Sequence, residues 1–432
     1  MKPRKAETPQ RKPRRRWRWH VPPAILHGVE TLEGTEVLDE FGGELGLVFW
    51  QSLRDVSLWS SITPPDARAG LFSAEAGNRR AASLLAADPD SQIAGALATI
   101  ASILEDPAGT ASEPVMLACR EVSQWAEANG TQATALAFAQ AAALACPGNA
   151  AAGLRVGMIA RRKGELARAE TWFRRTIGLA RQSRDWASYA EAFASLASLY
   201  EQRGNIPVAR TLYVRALRAS KRHSLRPIMA HTFHHLFTIA AMSGRKEEAQ
   251  AFARSAFEAY DPENPRVPGL AHDVASFWME ELGQFDPALS VFQTLVPQMP
   301  SPEQRVIVLG NIARSAGAVG DRGTYSGARE DLWKMVRSTD THPNTAQALL
   351  DLARGAASLA DWPEAEKAAR ASIDIAERLQ VARVSLSAQA ILESIANERY
   401  AESVPPRTEE STEVGDFATD LVRTLEEHTA VA

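Results

Sequence analysis

The chain has 432 residues, 45% of them hydrophobic and 23% charged, with a formal net charge of −4. That composition folds, is long enough for two or three domains or one extended array, and excludes a whole-chain electrostatic pull toward nucleic acid or membrane. Two cysteines, Cys119 and Cys146, exclude a disulfide framework or a four-ligand zinc site and read as buried free thiols, while few aromatics and abundant alanine point to many closely packed helices.

Residues 1–20 (MKPRKAETPQRKPRRRWRWH) hold nine Lys/Arg and one Glu, a net of +8, which leaves −12 for the rest. With three prolines and almost no aliphatic side chains, this stretch cannot bury enough surface to offset the entropy of ordering, so a disordered basic tail is predicted. Arg11, Lys12, Arg14, Arg15, Arg16 and Arg18 suit the phosphates of a nucleic acid or ribosome, or an acidic partner, and Trp17 and Trp19 suit stacking on bases. The same mixture suits an anionic membrane surface, and a solvated or docked tail accounts for it equally. The tail lacks the apolar core of a secretory signal, and no window near 18 apolar residues exists, so a cytoplasmic chain with no transmembrane segment is expected. Arg outnumbers Lys 40 to 8, as in chains from GC-rich bacterial coding sequences.

Residues 21–112 are assigned to an N-terminal helical cap. From Val37 to Trp59, apolar residues recur at three- and four-residue steps, a helical pattern weakened at its start by Gly42, Gly43 and Gly46 and ended by Pro64-Pro65. The Trp-rich part, 41–59 with Trp50 and Trp59, is read as the buried cap of a downstream helical array; an exposed dimer or partner surface is the other reading, and homo-oligomers stay open. Alanine-rich helices are expected near 75–87, 91–105 and 114–128, with breakers at Asp88-Pro89-Asp90 and at Asp106-Pro107 with Gly109.

From 113 to 398 the chain reads as helix after helix, and it repeats. Around Gly204 stand Leu196, Ala197 and Tyr200 before, and Ala209, Tyr213 and Ala216 after; around Gly164 stand Val156, Gly157 and Ala160, then Ala169, Phe173 and Thr176. Gly130, Gly244, Gly283 and Gly320 anchor similar units, and Ala360 takes the glycine's place in a seventh, giving anchor spacings of 34, 40, 40, 39, 37 and 40. Glycine at a tight helix–helix turn can take a left-handed conformation, small residues let the paired helices approach, and an aromatic fills the gap to the next pair. One pair cannot bury its own apolar face, so pairs must stack. Residues 399–415 read as a linker, and 416–432 as a C-terminal helix with Phe417, Leu421, Val422 and Leu425 on one side.

This array resembles the tetratricopeptide-repeat family in a variant of about forty residues per unit, which includes bacterial peptide-sensing regulators and motor light chains. The Gly204 unit carries nearly the whole pattern; Phe237 stands where a small residue is expected, Leu295 replaces an alanine, and Tyr325 and Arg329 occupy two signature places of the Gly320 unit. The resemblance implies an all-α, right-handed α-solenoid of antiparallel helix pairs whose first helices line a concave, partner-binding groove. Carried over by position, that groove takes Met158, Arg161 and Arg162, then Glu191, Ser198, Glu201 and Gln202, then His231, His234 and Thr238, then Asp273, Phe277, Glu280 and Glu281, and finally Arg314 and Arg354. It is polar and mixed in sign, without the Lys and Asn set that clamps a terminal carboxylate in chaperone-binding relatives.

Chemistry finds little support. His231 and His235 share a helical face, but Thr232 replaces the glutamate of the zinc-protease pattern and no third ligand stands nearby. The P-loop, dinucleotide-binding glycine and nucleophile-elbow patterns are absent. No catalytic residue, metal or cofactor is therefore expected. The leading reading is a non-enzymatic scaffold or adaptor that binds a protein or peptide. The alternative is a signal-responsive regulator contacting nucleic acid or ribosome through the basic arm; a DNA-reading module hidden in 66–105 would have only Arg68, Arg79 and Arg80 as cations.

Overall fold

The structure, a computed structural model, describes residues 34–338, 342–396 and 412–431. The basic tail of residues 1–20 and most of the expected linker lie outside them. The chain divides into two compact units, one ending at His223 and one beginning at Ser224. The fold is an all-α solenoid of stacked helix pairs, and no strand occurs among the described residues.

In the first unit the expected single helix over 37–59 is two: α1 (Glu36–Glu40) and α2 (Gly43–Ser61). The chain turns at Phe41–Gly42, where Gly43 takes φ 63. Next come α3 (Ala74–Ala87), α4 (Ser91–Ala101), and the pairs α5 (Ser112–Ala128) with α6 (Gln132–Ala145), α7 (Ala150–Arg162) with α8 (Leu166–Ser183), and α9 (Trp186–Gln202) with α10 (Ile206–Arg222). The Trp-rich segment is packed inward. Phe49, Leu53 and Trp59 are fully buried; the Phe49 ring meets Phe41 at 5.1 Å and Phe138 of α6 at 5.5 Å. The Glu40 carboxylate accepts hydrogen bonds from the Ala133 and Thr134 amides at 2.9 and 2.8 Å, so α1 caps the N-terminus of α6, where negative charge is favoured.

The second unit holds α11 (Arg226–Met242) with α12 (Lys246–Ala259), α13 (Val267–Phe277) with α14 (Phe285–Leu295), α15 (Pro302–Val319) with α16 (Arg322–Ser338), and α17 (Pro343–Ser358) with α18 (Trp362–Arg378), followed by α19 (Ala382–Ala396) and α20 (Thr412–Val431). The last helix begins four residues before the expected 416, so 412–415 are helix, not linker. It packs back on α14 and its neighbours: Phe417 lies 5.4 Å from Phe257 of α12 and 5.5 Å from Trp278, and Asp420 pairs with Arg254 of α12 at 2.8 Å.

All seven anchors are left-handed. Gly130, Gly164, Gly204, Gly244, Gly283 and Gly320 have φ between 66 and 84, and Ala360 has φ 58. At Gly164 the following amide (Glu165) donates to the Ala160 carbonyl at 2.9 Å while Gly164 donates to Arg161 at 3.1 Å, the Schellman closure of a helix end. The same pair of bonds closes the Ala360 turn, from Asp361 to Ala356 at 2.9 Å and from Ala360 to Ala357 at 3.0 Å. The Gly283 turn is one residue wider: Trp278–Leu282 form a single π turn, and the Gln284 amide reaches back six residues to Trp278.

Small residues set how near the helices come. A Cβ on Gly157 would stand 2.6 Å from the Phe173 ring. On α15 and α17 the contact is backbone to backbone: a Cβ on Gly310 would stand 2.6 Å from the Ala348 Cα, and one on Gly355 would overlap the Ala313 carbonyl. The departures from the repeat pattern are absorbed. Phe237 is buried edge-on to Phe277 at 5.6 Å, with buried alanines (Ala249, Ala253, Ala256) along α12; Leu295 is fully buried; Tyr325 is buried in α16.

Three substitutions test this packing. Gly355→Ala gains helix propensity but overlaps backbone, so it is expected to lower stability by about 1–3 kcal/mol in chemical denaturation. Gly327→Ala in α16, where an added Cβ meets nothing within 4 Å, is expected to raise stability, by up to about 1 kcal/mol. Ala360→Gly relieves a left-handed alanine costing about 1–2 kcal/mol and returns part of that as unfolded-chain entropy, so the thermal midpoint is expected to rise slightly.

Candidate partner-binding site

The first helices of successive pairs are tied by polar contacts whose residues lie one repeat apart. In the first unit, Arg155 and Arg162 of α7 both reach the Glu127 carboxylate of α5, and Arg161 donates to Ser198 Oγ of α9 at 2.8 Å, 37 residues on. Glu201 accepts from the Tyr213 hydroxyl of α10 at 2.8 Å, which commits it to its own pair. Met158 and Glu191 are half-buried, and Gln202 is exposed.

In the second unit the contacts run further. His234 Nε2 lies 2.9 Å from Asp273 Oδ2, 39 residues on, and its Nδ1 lies 3.5 Å from the Tyr260 hydroxyl. The other oxygen of Asp273 lies 3.2 Å from His272 Nδ1, and the Asn311 side-chain amide of α15 lies 3.3 Å from His272 Nε2. Partial burial would raise the Asp273 carboxyl; the hydrogen bonds from His234 and His272 outweigh it and hold it well below the usual carboxylate range. Burial pushes the half-buried His231 imidazole down to about 3, so it is neutral at physiological pH. Thr238 donates to the His235 carbonyl of its own helix at 2.9 Å. Among the described residues no three His, Cys, Asp or Glu side chains gather as metal ligands would.

A second cluster follows. Arg314 of α15, only 5% exposed, reaches Asp351 of α17 at 3.3 Å and Glu280 at 3.5 Å. Asp351, 1% exposed, also accepts from Arg354 at 2.9 Å and Gln347 at 2.8 Å. These groups open on a cleft of about 170 Å³ lined by Glu280, Arg314, Gln347, Leu350, Arg354, Arg383, Val384 and Ser387. The π turn places Glu280 at its rim. Arg383 is exposed and has no ion pair among the described residues, so the cleft has room and charge for one acidic group.

Three expected groove residues, Glu280, Arg314 and Arg354, therefore meet at one cleft, and His234 meets Asp273. Phe277 is corrected: at 5% exposure, packed on Phe237, it belongs to the core. Glu281 is half-buried beside Lys246, 3.7 Å away. The expected tail contacts, Arg11 through Trp19, lie outside the described residues. Gln347 and Leu350 were within reach of the sequence, for they precede Ala360 by thirteen and ten residues, as His231 and His234 precede Gly244. Asp351, His272 and Asn311 lie off those offsets, and only the folded neighbours reveal them. Cys119 is buried and Cys146 half-buried, and burial pushes both thiols up.

Residues 149–222 match the family model described as tetratricopeptide repeat. No curated protein matches the chain. Among solved structures, a Signal Transduction ATPase with Numerous Domains from Pyrococcus horikoshii, carrying a tetratricopeptide repeat sensor, is similar over 92% of this chain and 59% of its own, at 12% identity and a TM-score of 0.51. This chain thus spans a little over half that protein's length. A tetratricopeptide repeat protein from Parabacteroides merdae is similar over 63% of this chain and 98% of its own, at 15% identity and a TM-score of 0.41. BtubC from P. vanneervenii is similar over 53% and 92%, at 17% and 0.39. With helix pairs turned at left-handed Gly164 and Gly204, residues 149–222 form a tetratricopeptide-repeat segment.

Proposed function

We propose that this protein is a non-catalytic scaffold that binds a protein or peptide along its first helices, with the Glu280–Arg314–Arg354–Arg383 cleft of the second unit as the anchor for an acidic side chain. Tetratricopeptide repeats generally mediate protein interactions and are generally non-catalytic, which supports the broad reading. The observation that carries the finer one is the Arg314–Asp351–Arg354 network. Burying the Arg314–Asp351 pair is costly and rarely adds net stability, but this network holds two guanidinium groups at the wall of an open cleft. A ligand then meets preorganised donors and loses little side-chain entropy. No helix among the described residues is long and apolar enough to cross a membrane.

Panning the native protein against a random dodecapeptide display library is expected to enrich sequences sharing an Asp or Glu. Arg383→Glu is expected to weaken the enriched peptide by ~10- to 100-fold, the loss of one charge-assisted hydrogen bond at about 1.5–3 kcal/mol, at unchanged melting temperature. Absence of enrichment, or equal binding by the variant, overturns the reading. Asp351→Leu removes the buried carboxylate that pairs with both Arg314 and Arg354 and is expected to destabilise the protein by about 3–5 kcal/mol in denaturant titration.

A further inference from the structure

The first unit carries a concentration of positive charge that the peptide-binding reading does not use. Residues 166–223 hold eleven Lys/Arg against four Asp/Glu, a net of +7 in a chain whose total is −4. Helix α10 holds five of those cations and no acid. Its buried side, Ala209, Leu212, Tyr213, Ala216 and Leu217, packs into the pair, and Arg215, Arg218 and Arg222 stand exposed at i, i+3 and i+7, one stripe along the opposite face. Arg218 and Arg222 form no ion pair among the described residues, and Arg215 touches only the Phe193 ring, at 5.9 Å.

The four acids of residues 166–223 are engaged, and Asp185, beside Trp186, accepts from the Ser188 amide at 3.0 Å. Glu170 on α8 takes Arg174 at 2.8 Å and Arg203 at 2.6 Å, and Glu201 is bound to Tyr213. Cations in a last helical turn offset the helix dipole, which accounts for Lys221 and Arg222. It does not account for Arg215 and Arg218, which stand in the helix interior.

The stripe ends on aromatic rings. Trp186, at the start of α9, stacks on His223 just past α10, with ring centroids 4.6 Å apart and planes 9° from parallel, and Tyr189 meets Trp186 edge-on at 5.7 Å. All three rings are half-buried. This contact also brings the α8–α9 turn beside the end of α10, so the exposed Arg181 and Arg184 join the same end of the unit. A row of unpaired guanidinium groups leading to stacked flat rings matches a chain that alternates phosphates with bases. An acidic peptide uses the charge but has no need of the rings, and a membrane surface needs more exposed apolar side chains than the single exposed Val208 of α10 supplies.

We infer that the outward face of α10, with the Trp186–His223 stack at its end, is a binding surface for a single-stranded nucleic acid, in which Arg215, Arg218 and Arg222 contact successive phosphates.

The test compares the full native chain with the triple variant Arg215→Gln, Arg218→Gln, Arg222→Gln, using fluorescein-labelled oligo(U) of 20 nucleotides in anisotropy titrations across salt concentrations. Both proteins carry the tail, so its contribution cancels in the comparison. Three lost phosphate contacts are expected to reduce the slope of log K against log salt by about 2 and the affinity at 0.1 M salt by about 100-fold, with circular dichroism and melting temperature unchanged. A duplex of equal length is expected to bind more weakly than the single strand. Native and variant proteins with equal affinity and equal slope overturn the assignment, as does tighter native binding to poly-glutamate, to phosphatidylserine vesicles or to the duplex than to oligo(U).

Discussion

Everything in this protein depends on a helix being able to reverse direction in a few residues and return within touching distance of itself. The reversal needs a backbone turned left-handed just past the first helix, and the return needs side chains small enough for the two helices to meet. Both conditions recur. Gly164, Gly204 and Gly244 supply the turn without steric cost, and Gly157, Ala197 and Ala240 stand where helices cross. Where alanine replaces the glycine, at Ala360, the turn is made all the same, because the carbonyls left at the end of α17 must find donors and the packed pair holds the strained residue in place.

Repetition has a chemical consequence. When consecutive pairs stack in register, a side chain on one first helix faces its counterpart about one repeat further along the chain. Arg161 with Ser198, His234 with Asp273, and Arg314 with Asp351 are separated by 37, 39 and 37 residues. The polar contacts between pairs therefore inherit the period of the fold. They hold side chains in one orientation, which matters more to recognition than to stability, since a buried ion pair seldom exceeds a hydrophobic pair of the same size. On α10 the outer face carries the exposed cations Arg215, Arg218, Lys221 and Arg222.

Irregularity is local, and each instance has a physical cause. The π turn at Trp278–Leu282 adds a residue before Gly283, lets Trp278 bury against Phe417, and leaves Glu280 at the rim of a cleft. Helix α20, far along the chain, returns to this region because Phe417 meets Phe257 of α12 and Trp278 of the π turn, and Leu421 and Leu425 are buried with it. Glu40 caps α6 because Thr131, at that helix's own N-cap, makes no side-chain bond to it.

Composition, period and turn residues alone determined the helical class, the antiparallel pairing and the seven anchors, because these are local rules: alanine favours helix, glycine takes the left-handed turn, and small and aromatic residues mark crossings at fixed offsets. The family resemblance singled out Arg161, His234, Glu280, Arg314 and Arg354 by their distance from the anchors. Only the tertiary structure decided which of them meet and which are core: Phe277 faces Phe237, Asp351 holds two arginines, and the segment 41–59 splits at Phe41–Gly42 and folds onto α6. Those outcomes depend on contacts between residues far apart along the chain. A periodic pattern states the spacing along one helix; it carries no information about which neighbour lies across from it.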